Sequence, residues 1–171
     1  MSSSWGDIKK IYNDIYNQPK YKHVQFMQMC IAGANIFSTC SKRQYMAIIT
    51  DYNNHVMGLG YNGVPKDFKH CNEGGCPRAI EGSPSGSNYD NCYAIHAEAN
   101  AFLHSDYDKA RRLYVNGTPC FSCAKLIANS GVVEVYYIRD EQYKQWPETE
   151  EFLSNAGIPC FDLSGDISAS S

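Results

Sequence analysis

The 171-residue sequence has no apolar run long enough to span a bilayer, and Met1 to Lys10 are polar where a secretory signal would carry an apolar stretch. We therefore expect a cytoplasmic protein with no membrane partner. An excess of positive charge is also missing: 15 Lys and Arg stand against 18 Asp and Glu, for a net charge of −3. With a pI near 5.9 nothing draws the whole chain to a polyanion, so a small substrate is favoured over nucleic acid. Internal repeats, linkers and low-complexity tracts are absent, which argues for one domain over 1–171 with a core from about 21 to 163 and a frayed tail at 164–171. Apolar residues at 43% exclude a disordered chain.

Cysteine is not scarce. The eight are Cys30, Cys40, Cys71, Cys76, Cys92, Cys120, Cys123 and Cys160. An even number would suit a disulfide framework in an oxidising compartment. In a cytoplasmic chain, clustered cysteines near histidines point instead to metal or to reactive thiols.

Apolar residues at Val24, Met27, Cys30 or Ile31, Ala34 and Phe37 recur at helical spacing, predicting a helix over 21–37 with a buried stripe. Tyr45 to Thr50 and His55 to Gly60 flank Asp51-Tyr52-Asn53-Asn54 and read as a β-hairpin. From Gly63 to Asn91 the density of Gly and Pro predicts a long irregular excursion, a length that usually carries function. Beyond it the pattern alternates: helix over 96–104, strand over 113–115, helix over 120–129, strand over 132–138, helix over 149–155, strand over 158–161. Gly157 serves as a helix stop. This rhythm predicts an α/β sandwich with a largely parallel second half.

Two segments carry chemistry. His96-Ala97-Glu98 and Pro119-Cys120-Phe121-Ser122-Cys123 match the H-x-E…P-C-x-x-C signature of zinc deaminases. Cys120 and Cys123, three apart at the start of a predicted helix, share a face and can chelate one ion. The partial positive charge of a helix N-terminus favours their thiolates. His96 would be the third ligand, leaving one tetrahedral position open, which is the mark of a catalytic rather than a structural zinc. Such a zinc brings the pKa of water from about 15.7 to about 7. Glu98 is placed to move protons and not to ligate, a role typically worth about 10²–10⁴ in rate. Taken singly, the His could be a packed core residue and the C-x-x-C a redox or structural pair. Jointly they favour catalysis, and a zinc-binding protein without turnover would have no use for Glu98. Cys71, Cys76 and Cys92, with His70 beside them, form a second candidate set in the excursion, a stretch too poor in apolar residues to hold itself. The alternative is that these cysteines are small buried residues.

From about Ser38 to Phe161 the chain resembles the deoxycytidylate (dCMP) deaminase family. The resemblance rests on the two zinc segments and on Cys40-Ser41-Lys42-Arg43, Gly60-Tyr61-Asn62-Gly63-Val64-Pro65 and Ile95 to Ala101. Nucleoside and tRNA adenosine deaminases share the zinc segments but do not typically carry G-Y-N-G-x-P. The resemblance implies a cytidine-deaminase-like three-layer α/β/α sandwich with a five-stranded mixed sheet. It also implies attack at C4 of cytosine, converting dCMP to dUMP and ammonia for thymidylate synthesis. By the same resemblance, Ser41, Lys42 and Arg43 hold the phosphate, and Asn62 and Ala97 contact sugar or base. Further implications are a homohexamer, activation by dCTP with Mg2+, inhibition by dTTP, and in some members a second Zn2+ in the excursion. Where many members read V-G-A after the basic segment, this chain has Tyr45-Met46-Ala47, which leaves dCTP, cytidine and other cytosine substrates as alternatives to dCMP.

Overall fold

The structure, a computed structural model, describes residues 19–84, 89–106 and 108–168. Its centre is Met46–Thr50 (β1), buried at all five positions, as a strand covered on both faces must be. On one side β1 pairs antiparallel with Val56–Tyr61 (β2) and on the other with Arg112–Val115 (β3). Glu134–Tyr137 (β4) joins β3 in parallel and Cys160–Asp162 (β5) joins β4 in parallel, giving the order β2-β1-β3-β4-β5.

Side chains alternate across this sheet and sort the core into two clusters. Met46, Ile48, Tyr114 and Tyr136 meet Phe26, Met27, Cys30 and Ala34 of Pro19–Phe37 (α1). Ala47, Ile49, Leu113, Val115, Val135 and Tyr137 meet the opposite layer. That layer is built from Ala97–Leu103 (α3), Phe121–Ala128 (α4) and Trp146–Asn155 (α5). The α/β/α sandwich and its mixed five-stranded sheet are as the resemblance implies.

The excursion is less irregular than its composition suggests. It holds a 3-10 turn at Cys71–Glu73, a short helix Pro77–Ile80 (α2) and a second 3-10 turn at Tyr89–Asn91. The expected frayed tail is also corrected, because Ser164–Ser168 forms a helix (α6), while 169–171 lie outside the described residues. Asp162 accepts the Ser164 amide and hydroxyl, Leu163 and Ile167 pack into the α1-facing cluster, and Lys20 pairs with Asp166 at 2.8 Å. A pair of apolar residues four apart is enough to anchor a one-turn helix. Phe37, expected on the buried stripe, is 50% exposed, since the last turn of α1 reaches the sheet edge and stacks on Tyr61 of β2. Helix α5 starts at Trp146 with Pro147 at its first turn, earlier than its apolar periodicity indicates. Among the described residues no helix is long and apolar enough to cross a membrane.

Candidate active site

Two helix N-termini meet at the site. His96 is the N-cap residue of α3 and Cys120 that of α4, both with extended backbone. A two-way bridge sets the entry to α3: Gly63 N–H donates to the Ile95 carbonyl at 3.3 Å and Ile95 N–H to the Gly63 carbonyl at 2.8 Å. The helix then lies against β2 with no room to spare. A Cβ at Gly60 would stand 2.2 Å from the Ala101 nitrogen and 2.4 Å from the Ala97 oxygen, so only glycine permits this approach. The Asn100 side chain donates to the Tyr61 carbonyl at 2.8 Å and fixes the same contact.

The loop from β3 to α4 is fastened as firmly. Asn116 accepts the Met46 amide at 2.7 Å and donates to the Gln44 carbonyl, and Gly117 gives up its side-chain space to the Tyr45 ring. The Thr118 hydroxyl accepts the Asp140 amide at 2.7 Å. The Tyr143 hydroxyl accepts the Phe121 amide at the first turn of α4.

These supports bring His96 Nδ1 to 3.3 Å from Cys120 Sγ and 3.4 Å from Cys123 Sγ. All three donor atoms lie within 4.8 Å of one another, the only such group of three His, Cys, Asp or Glu among the described residues. Tetrahedral ligands at zinc bond lengths of about 2.0–2.3 Å stand about 3.5 Å apart, so the donor set fits the ion in spacing and in chemistry. All eight cysteines are free, which removes the disulfide alternative.

The trio shares its protons unevenly. Hydrogen bonding from Cys123, helped by His96, brings the Cys120 thiol down to about 4 against burial. The Cys120 sulfur in turn raises His96 to about 9. Cys123 is pushed far up, first by Cys120 and then by burial. Glu98, 5% exposed in the first turn of α3, has its carboxyl raised by burial, with His96 opposing. A buried carboxyl beside the ligand set, held toward its neutral form, can both accept and return a proton.

The other expected site residues separate. Asn62 is buried, and both ends of its side-chain amide are engaged: the amide oxygen accepts the Tyr45 N–H at 2.8 Å and the Ser38 hydroxyl, and the amide nitrogen donates to the Arg43 carbonyl at 2.8 Å. It shapes the 43–45 segment. Arg43 donates to Asp140 at 2.6 Å, to the Tyr45 hydroxyl and to Gln142. Lys42 is drawn the other way, to the Ser83 carbonyl at 2.9 Å. The Ser41 backbone faces the Cys71 sulfur. Ala97 is buried between His96 and Glu98.

Of the second candidate metal set, Cys71, Cys76 and Cys92 pack together with Cys40, while His70 is exposed. Burial raises Cys71 and Cys92. For Cys76 burial is outweighed by the amides of Tyr93 and Ala79 and the neighbouring thiols, which hold it below the usual thiol range. Sequence reasoning missed Cys40 because no local spacing links it to residues 31 to 52 positions away. It missed Asp140 and Asn116 because their roles exist only once the strands are assembled.

Comparison with known proteins gives the same answer. Residues 20–139 match the family described as cytidine and deoxycytidylate deaminase zinc-binding region. The chain is 32% identical over 160 residues to a deoxycytidylate deaminase of Schizosaccharomyces pombe, covering 90% of this chain and 48% of that one. Against the Saccharomyces cerevisiae enzyme identity is 35% over 136 residues, covering 78% and 42%. This chain thus spans about half the length of those two relatives. Human deoxycytidylate deaminase is 33% identical over 134 residues, covering 77% of this chain and 70% of the human one. In fold, the dCMP deaminase of cyanophage S-TIM5, solved with dCMP and dUMP, superposes with a TM-score of 0.62 at 23% identity over 85% of this chain and 98% of that one. Because the matched region contains both ligand segments, and those segments fold into one donor set, this chain belongs to the cytidine and deoxycytidylate deaminase family.

Proposed function

We propose that the chain hydrolyses dCMP to dUMP and ammonia. The observation that carries this reading is the buried Glu98 carboxyl beside His96, Cys120 and Cys123, a donor set of three with a proton carrier next to it. Zinc, when bound there, supplies a Lewis acid that makes a water nucleophilic near neutral pH. Glu98 is placed to take one proton from the attacking water and give it to N3 of cytosine as C4 is attacked, then to take the second from the new C4 hydroxyl and give it to the amine, which leaves as ammonia. The buried Ala97 backbone between ligand and carboxylate forms the wall against which the base lies. Arg43 meets the phosphate, and Ser41 and Lys42 border its approach. Asn62 acts through the 43–45 segment that it pins.

Deoxycytidylate as substrate is supported by the named relatives and by the Gly60-Tyr61-Asn62-Gly63 segment. An ammonia-release assay over dCMP, CMP, deoxycytidine and dCTP tests it. The reading requires dCMP to be preferred, and preference for deoxycytidine or dCTP would replace it.

The family resemblance supports three extensions: assembly as a homohexamer, activation by dCTP with Mg2+ and inhibition by dTTP. Eight free cysteines suit a reducing cytoplasm. We further propose that a structural zinc, when bound, draws together Cys40, Cys71, Cys76 and Cys92, which pack in one cluster with their sulfurs more widely spaced than the His96, Cys120 and Cys123 donors. Their cluster consists of these sulfurs and Ala79, and backbone amides of Ser41, Ala79, Tyr93 and Ala94 are directed at three of them. A closed set of four thiolates is the usual form of a structural site.

A further inference from the structure

Between the carboxyl ends of β3 and β4 and the start of β1 lies a cleft of about 320 Å³, lined by Arg43, Tyr45, Gly117, Arg139, Asp140 and Gln142 among others. Its floor at Gly117 runs through Thr118 and Pro119 directly into the ligand Cys120. Two arginines border it, but Arg139 is paired with Asp162 at 3.0 Å and donates to the Tyr137 hydroxyl. Arg43 is the cation held within the cleft, 34% exposed, against an Asp140 side chain that is 17% exposed.

Asp140 is itself built in. Its amide donates to the Thr118 hydroxyl, and one carboxylate oxygen accepts the Gln142 amide at 3.0 Å while the other accepts Arg43 Nη1 at 2.6 Å. With Tyr45 on the same nitrogen and Gln142 on Nη2, the guanidinium is fixed yet keeps donors to spare.

We propose that Asp140 is a specificity-determining residue, which holds Arg43 in register for the substrate phosphate and, by its opposite charge, limits how tightly any phosphomonoester is gripped. The inference rests on the reading of the chain as a nucleotide deaminase. A phosphomonoester carries about −1.5 to −2 charge at neutral pH, so a carboxylate on the same guanidinium opposes it. The phosphate is unchanged by deamination. Gripping it harder therefore strengthens substrate and product binding alike without lowering the barrier to the chemical step. A tempered cation distinguishes nucleotide from nucleoside and still lets the product leave.

The test is a calorimetric titration of inorganic phosphate into the zinc-loaded full chain and its Asp140→Asn, Arg43→Gln and double variants. The ratio of kcat/KM for dCMP over deoxycytidine is measured beside it. Asp140→Asn is expected to tighten phosphate roughly three- to tenfold and to raise the ratio in proportion. Asp140→Ser, a second neutral replacement, should act in the same direction. In the Arg43→Gln background the Asp140 effect should vanish. Phosphate affinity that is unchanged or weaker in both neutral variants, or a tightening that survives Arg43→Gln, overturns the proposal. The titration needs no turnover. Arg43-dependent tightening in a chain that releases no ammonia from dCMP would sink the functional reading and leave the anion site standing, whereas dCMP turnover without tightening would sink this inference alone.

Discussion

Asn62 shows how one side chain can order the backbone around a site. It satisfies the Tyr45 amide, the Arg43 carbonyl and the Ser38 hydroxyl from a buried position. Removing it strands part-buried backbone groups, each costing about 1–3 kcal/mol when left unpaired. Asn62→Ala should therefore lose about 2–3 kcal/mol of stability in a urea titration and weaken dCMP binding with it, while zinc content stays at the wild-type level. An Asn62→Ala protein as stable as wild type would show that the amide hydrogen bonds are not made in solution. At this scale His96, Glu98, Cys120 and Cys123 were legible in the sequence because each pair falls in a short segment at a helix start that matches the zinc-deaminase signature. Asp140 and Cys40 were not, since each meets its partners across the fold: Asp140 contacts Arg43 from a sequence separation of 97 residues.

Between elements, the α3–β2 contact and the α1–sheet contact both depend on features that periodicity does not show. Gly60 reads in the sequence as a strand end, but in the structure it is the surface on which the ligand-bearing helix rests. Gly60→Ala should push α3 outward, destabilise the protein by about 1–3 kcal/mol and reduce zinc retention against a chelator. Unchanged zinc retention would separate the helix position from the metal site. On the other face His23 of α1 sits between two tyrosines. Its Nδ1 meets the Tyr114 hydroxyl at 2.9 Å and its Nε2 the Tyr136 hydroxyl at 3.2 Å. Tyr136 donates onward to Glu134, which pairs with Arg112 at 2.8 Å. Burial, and then the Arg112 charge, lowers the His23 pKa, with Glu134 opposing. The unfolded chain thus binds a proton here before the folded one does. The contribution to stability is complete above the unfolded value of about 6.5 and is lost as pH falls through the folded one. His23→Gln should flatten the decline in stability as pH falls below about 6.5, and an unchanged slope would show that another group governs it. Helices and strands were legible where apolar spacing is regular, as in α1 and β1. They were missed at α2 and α6, where one turn is held by tertiary contacts rather than by its own pattern.

Taken whole, the molecule holds two sulfur clusters at one end of an α/β/α sandwich, one with three protein donors and a carboxyl, the other with four cysteines. Zinc analysis of purified protein should give about two ions per chain, falling to about one in Cys40→Ser with a lowered unfolding temperature. One ion in the unaltered chain would rule out the second site. The parallel second half of the sheet was legible from the strand and helix alternation, and the five-stranded mixed sheet in three layers came from the resemblance, while the strand order emerged only in the structure. Hexameric assembly, which sedimentation would read directly, has no signature in composition, because exposed aromatic residues serve a core and an interface alike. The central claim is that Glu98 moves protons beside a metal that it does not bind. The direct measurement is zinc content and ammonia release from dCMP in Glu98→Gln. The account predicts wild-type zinc with turnover reduced by at least about 10²-fold. Turnover near the wild-type rate, or loss of the metal together with the activity, would contradict it.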